Sequence, residues 1–140
     1  MIFNIRFMES IRMIIEKTAD YFDAYSENCE GIYAAGESIE AVKADTERAI
    51  AAIKGTLPKD QWPAQLKKGD YKVEYKLDAP SFLSYYKGFL SLAGLERITG
   101  INQKQLSNYL NKRSTPRPKQ VERINEGVHK FAEELLGMTL

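Results

Sequence analysis

From Tyr71 to Leu77 the chain alternates strictly, with Tyr71, Val73, Tyr75 and Leu77 on one side and Lys72, Glu74 and Lys76 on the other. Period two over that length makes a strand with one face on a core and the other in water. From Asp78 onward the apolar residues recur at helical spacing instead. A chain that changes period once near its middle folds as a sheet segment followed by a helical segment, an α+β protein. Its 140 residues and 16.0 kDa leave room for one compact domain or two very small ones. The division expected is a sheet domain over 10–78 and an all-α domain over 79–140. Residues 1–9 are set apart as a leader, possibly extraneous, because Met8 or Met13 could equally begin the domain.

Three further strands and one helix are expected in the first segment. Ile11–Glu16 is a short apolar run, Tyr21–Tyr25 an aromatic one, and Ile32–Ala35 a third that ends at Gly36. Ser38 is placed as a helix N-cap. Beyond it Ile39, Val42, Thr46, Ala49, Ile50 and Ile53 share one face of an amphipathic helix closed by Gly55 and Pro58. The segment from Leu57 to Gly69, interrupted by Pro58, Trp62 and Pro63, is expected to be a loop with at most a helical turn. The order β-β-β-α-β predicts a small antiparallel sheet with a helix across it, the strand from Tyr71 at an edge.

In the second segment Phe82, Leu83, Tyr86, Phe89 and Leu90 form one apolar stripe, and Leu92–Thr99 is closed by Gly100. Asn102 then caps a helix over 103–111, with Gln105 in the capping-box position and Leu106 and Leu110 pointing inward. Thr115–Pro118 breaks the chain before a last helix from Lys119 to Leu136.

Composition closes off several classes of chemistry. No apolar run approaches the ~20 residues of a membrane-spanning helix, and the N-terminus lacks the order of a secretory signal, so the cytoplasm is the expected location. The chain has one Cys and one His, Cys29 and His129. That leaves no intrachain disulfide and too few ligands for an ordinary zinc site. There is no Gly-rich phosphate loop. No cofactor, no metal and no enzyme activity are expected.

The net charge of +1 hides an asymmetry. Residues 1–78 carry 11 Lys/Arg against 14 Asp/Glu, a net −3, and residues 79–140 carry 9 against 5, a net +4. Over 97–123 seven basic residues face one acid, Glu122, a local +6. Such a window is the electrostatic footprint of a site for a polyanion.

Leu95–Asn111, with its turn glycine Gly100, apolar Ile101, polar cap Asn102, leading Gln103 and inward pair Leu106/Leu110, resembles the helix-turn-helix of the Cro/phage-repressor (XRE) class. Asn111–Pro116 resembles the basic turn that follows it in that class. The resemblance covers about 40 residues and implies binding to double-stranded operator DNA. Gln103, Lys104, Gln105 and Asn108 are then the base readers, since Gln and Asn pair bidentately with adenine and Lys donates to guanine. Ser107, Asn111, Lys112, Arg113 and Arg117 suit phosphates, which set register. Two positions depart from the class: Glu96 stands where Ala is usual, and Lys112 where Gly is favoured. Glu96 fits only if the helices splay or its carboxylate reaches solvent.

Residues 10–55 resemble the HicB-type antitoxins, whose N-terminal domain is a truncated RNase H-like fold. The resemblance rests on Tyr21–Tyr25, on Gly31 and Gly36 around a strand, and on Glu37–Glu40 opening a helix. Ser26 replaces the usual loop proline, and Ala41-Val42 an early Glu-Ala pair. The resemblance implies a small basic ribonuclease toxin of HicA type as partner. Tyr21, Tyr25 and Tyr33 are the candidate anchors, either buried in the core or presented to that partner. An RNase H-like fold also raises metal-dependent nuclease chemistry, which needs carboxylates converging on two ions ~4 Å apart; Glu16, Asp20, Asp23, Asp45 and Glu47 are candidates by residue type alone.

The leading expectation is a type II antitoxin that also represses its own operon. The alternative is a stand-alone repressor with an oligomerising or ligand-sensing sheet domain. A homodimer or higher homo-oligomer is expected, because one helix-turn-helix reads only a few base pairs; the sheet edge or the last helix could supply the contact.

Overall fold

The structure is a computed structural model, and it describes residues 9–140. The chain divides between Asp78 and Ala79 into two compact units.

The first unit is a four-stranded sheet: β1 (Glu9–Lys17), β2 (Phe22–Ser26), β3 (Tyr33–Gly36) and β4 (Tyr71–Leu77), in the order β3-β2-β1-β4. β1 and β2 pair antiparallel, as do β2 and β3, but β4 runs parallel to β1. The expected all-antiparallel sheet is thus corrected to a mixed one. Strand periodicity fixes which residues face the core and says nothing about a neighbour's direction. Direction follows from helix α1 (Ile39–Thr56), which carries the chain back across one face so that β4 starts at the end where β1 starts. β4 is an edge strand, and its burial alternates along its length. Glu9, assigned to the leader, belongs to the sheet: it pairs with Tyr71 and its carboxylate meets Lys68. The rest of that expected leader, 1–8, lies outside the described residues.

Ile11, Met13, Ile15, Phe22, Ala24 and Ala34 point to the inner face and are buried; α1 lays Val42, Thr46 and Ile50 on them. Ser38 caps α1 by accepting the Ala41 N–H at 3.0 Å, and the Thr46 hydroxyl, fully buried, donates to the Val42 carbonyl. Lys43 and Lys54 lie over the rings of Tyr75 and Tyr71, at 5.2 and 5.0 Å, and tie α1 to β4. Gly36 lets the helix start close to the strand, since a Cβ there would stand 2.7 Å from the Ala41 Cβ. Burial pushes the Cys29 thiol above its usual pKa, as befits a core residue. The expected loop over 57–69 contains a 3₁₀ turn (Lys59–Gln61) and the short helix α2 (Ala64–Lys68), whose Leu66 is 1% exposed.

The second unit holds α3 (Ala79–Tyr86), α4 (Leu92–Thr99), α5 (Gln103–Leu110) and α6 (Pro118–Leu136). Leu83, Leu95, Ile101, Leu106, Tyr109 and Ile124 form its core. Phe89, expected on one apolar stripe with Phe82 and Leu83, is 73% exposed because α3 ends three residues before it and the chain turns there.

Candidate nucleic-acid interface and the open sheet face

α4 ends at Gly100, which takes the left-handed conformation (φ +74°) and returns its N–H to the Glu96 carbonyl at 2.7 Å. The Thr99 hydroxyl donates to the Leu95 carbonyl and accepts the Ile101 N–H, which seats the buried Ile101 inside the turn. Arg123 of α6 donates to the Gly100 carbonyl at 2.8 Å, so the turn is held from both sides. At Gly127 a Cβ would collide with the Ile98 carbonyl oxygen, and the glycine allows α4 and α6 to touch backbone to backbone.

The donors at the start of α5 are met by Asn102, which accepts the Lys104 N–H at 2.7 Å, and by Glu96, which accepts the Gln103 N–H at 3.2 Å. Glu96 is therefore a cap supplied from the preceding helix, to the first donor of α5. The helices need not splay to admit it, because its carboxylate is used by the next helix. α5 ends in a Schellman motif: Lys112 donates to Tyr109 and Arg113 to Asn108, with Lys112 left-handed at φ +60°. Among the described residues Lys112 alone, glycines aside, has a positive φ.

These caps fix what α5 shows to solvent. Leu106 and Tyr109 are buried and Leu110 packs beside them; Tyr109 is a core residue that the Leu106/Leu110 pattern does not reveal. Gln103 and Lys104 are exposed, and Asn108 is half-buried one turn beyond Lys104. Gln105 is half-buried on the flank that carries Tyr109. Asn111 donates to the Ser107 carbonyl at 2.9 Å and to its hydroxyl at 3.2 Å, so these two polar groups are partly committed to each other. Lys112, Arg113 and Arg117 are exposed in the connection to α6. The face thus offers amide and ammonium donors on a fully capped helix, with cations beside its C-terminal end.

The outer face of the sheet is the second candidate. Tyr33, Tyr25, Ile14 and Lys76 occupy one register row across all four strands. Tyr25 is 40% exposed and Tyr33 70%. Tyr21 lies outside β2, in the turn where its carbonyl accepts from Thr18, and is also exposed. All three tyrosines are therefore on the surface. Next to this row Glu16 and Asp23 are direct cross-strand partners, both exposed. Like charges so placed oppose pairing. Where β2 ends, Asn28 serves β1 as a substitute strand: its Oδ1 accepts the Arg12 N–H at 2.8 Å and its Nδ2 donates to the Ser10 carbonyl at 2.6 Å. Ser26 supports it, donating to the Arg12 carbonyl and accepting the Cys29 N–H.

Of the acids considered for nuclease chemistry, Asp45 accepts the Ala35 N–H of the edge strand β3 at 2.9 Å, and this bond, with Arg48, holds its carboxyl below the usual range. Its role is to cap an edge. Among the described residues no three His, Cys, Asp or Glu side chains are grouped so as to hold a metal ion, and no helix is long and apolar enough to cross a membrane.

No family model, no curated protein and no solved structure matches this chain significantly.

Proposed function

We propose that this chain is a DNA-binding antitoxin that represses its own operon. The helical unit acts as a helix-turn-helix of the Cro/phage-repressor kind, and the sheet unit, partly RNase H-like in the HicB manner, docks a small basic ribonuclease toxin. The observation that carries the reading is α5: a short helix capped at both ends, held on a turn at Gly100, with Gln103, Lys104 and Asn108 facing outward and Lys112, Arg113 and Arg117 following. Amides and a lysine at the start of such a helix match base edges in the major groove, and the cations beyond match phosphates. The open row of Tyr33, Tyr25 and Ile14 beside the exposed Glu16–Asp23 pair supports a basic protein partner for the sheet. The β-β-β-α-β order, with a helix across one face, supports the HicB-like reading.

The test is titration of the full chain against duplex DNA from upstream of its own gene and against a shuffled duplex. Gln103→Ala and Asn108→Ala should each weaken specific binding by about 1–3 kcal/mol and relax base preference. Arg113→Ala should weaken both duplexes alike and lower the salt slope by about one. Equal losses on both duplexes for all three variants would reject α5 as the reader. Co-purification with the product of the neighbouring gene tests the second half, and Tyr25→Ala with Tyr33→Ala should abolish it. Specific DNA binding with no protein partner would make the chain a stand-alone repressor.

A further inference from the structure

The apolar residues of α6 follow a single stripe at alternating three- and four-residue spacing: Val121, Ile124, Val128, Phe131, Leu135 and, just beyond the helix, Met138. The stripe is covered at its start, where Ile124 is buried and Val128 packs on the core. It is uncovered at its end, where Leu135 is 57% and Met138 75% exposed. Beside it α4 and α6 leave a cleft of about 440 Å³, floored by Leu90, Ile98 and Phe131 and rimmed by Arg97, Lys130 and Glu134. An apolar seam that continues a core stripe into solvent, next to an apolar cleft of its own helix, is a surface shaped for a partner.

We propose that the partner is a second copy of this chain, with the two α6 helices antiparallel and Leu135 of each copy seated in the cleft of the other. Seam and cleft belong to the same helix, so one contact made twice about a two-fold axis fills both clefts and covers both seams. Spacing and charge select the antiparallel sense. Setting Phe131 of one copy against Leu135 of the other keeps the stripe in register and brings Glu134 of each helix to the basic rim, Arg97 and Lys130, of the other. A parallel pairing would put the Lys130/Glu134 flanks of the two helices on opposite sides of the two-fold axis and lose that charge match. The contact goes beyond the DNA reading and does not depend on it, although its two-fold symmetry is what a palindromic site would use.

The experiment is light scattering on the full chain at tens of micromolar and below, without DNA, so its failure and that of the DNA reading are separate results. The wild-type chain should be a dimer. Leu135→Glu alters an exposed side chain and should leave the circular dichroism spectrum unchanged while raising the dimer dissociation constant about tenfold or more. Lys130→Glu and Glu134→Lys should each weaken the dimer, and the double reversal should restore it. Glu126→Lys, exposed and off the stripe, should change nothing. A wild-type chain that stays monomeric, leaving the cleft to another occupant, overturns the proposal. So does a dimer that survives both Leu135→Glu and the single charge reversals.

Discussion

The carboxylate of Glu96 accepts the backbone N–H of Gln103 at 3.2 Å, and the Gln103 side-chain amide lies 3.5 Å from its other oxygen. An acid on α4 thus caps α5, and a negative charge stands at the helix end proposed to enter the groove. Charge and dipole favour the folded unit, and the same charge repels phosphate.

Glu96→Gln keeps an acceptor and removes the charge. It should alter stability by less than about 1 kcal/mol and tighten DNA binding at low salt, with the gain fading as salt rises. Glu96→Ala also loses the cap, and should cost about 1 kcal/mol in urea unfolding. Anisotropy titrations at two salt concentrations check both; unchanged binding in both variants would place the carboxylate away from the DNA path.

Lys112 pays a conformational penalty at φ +60°, where a Cβ crowds the backbone. Lys112→Gly should raise stability by about 0.5–1 kcal/mol, a net of relieved strain and greater unfolded-chain freedom. It should also reduce the salt slope of DNA binding by about one. Lys112→Val should lower the melting temperature. A Gly variant no more stable than wild type would contradict the left-handed cap.

Two glycines each allow a close approach inside one unit. Gly36→Ala should destabilise the sheet unit by about 1–3 kcal/mol, read by the fluorescence of Trp62, the sole tryptophan. Gly127→Ala should do the same to the helical unit by forcing α6 off the Ile98 carbonyl, read as the circular dichroism change that Trp62 fluorescence does not follow. Each variant should move its own transition and leave the other in place.

Asp45 gives the sheet unit an acid-sensitive edge. Its carboxyl is held below the usual range by the Ala35 N–H first and Arg48 second, so the folded state binds its proton less readily than the unfolded chain. Its contribution is fully present above the unfolded carboxylate pKa of about 3.9 and is lost as pH falls through and below that value. Urea midpoints for wild type and Asp45→Asn should differ at neutral pH and converge on acidification. Glu74, lowered chiefly by its hydrogen bond from Lys72, leaves some of the acid slope in the variant. A difference that does not shrink at all on acidification would show that ionisation of Asp45 is not what holds the edge.

Short-range pattern was enough for much of this chain. The change of period at Asp78, the face of α1 capped by Ser38, the alternation of β4 and the start of α5 at Asn102 all follow from spacing and capping chemistry, which act over a few residues. The polar run on α5 was readable for the same reason: Leu106 and Leu110 mark its inner side and leave Gln103 and Lys104 outside. What spacing could not carry was any decision made by residues distant along the chain. The direction of β4 depends on where a long crossover ends. Asn28 completes β1 only because the loop folds back sixteen residues later. Leu66 and Tyr109 look like ordinary loop and helix residues until their units close over them. Glu96 reads as a misfit in its own helix and becomes a cap only when α5 is placed beside it, since its hydrogen-bond partner belongs to the next element rather than to its own.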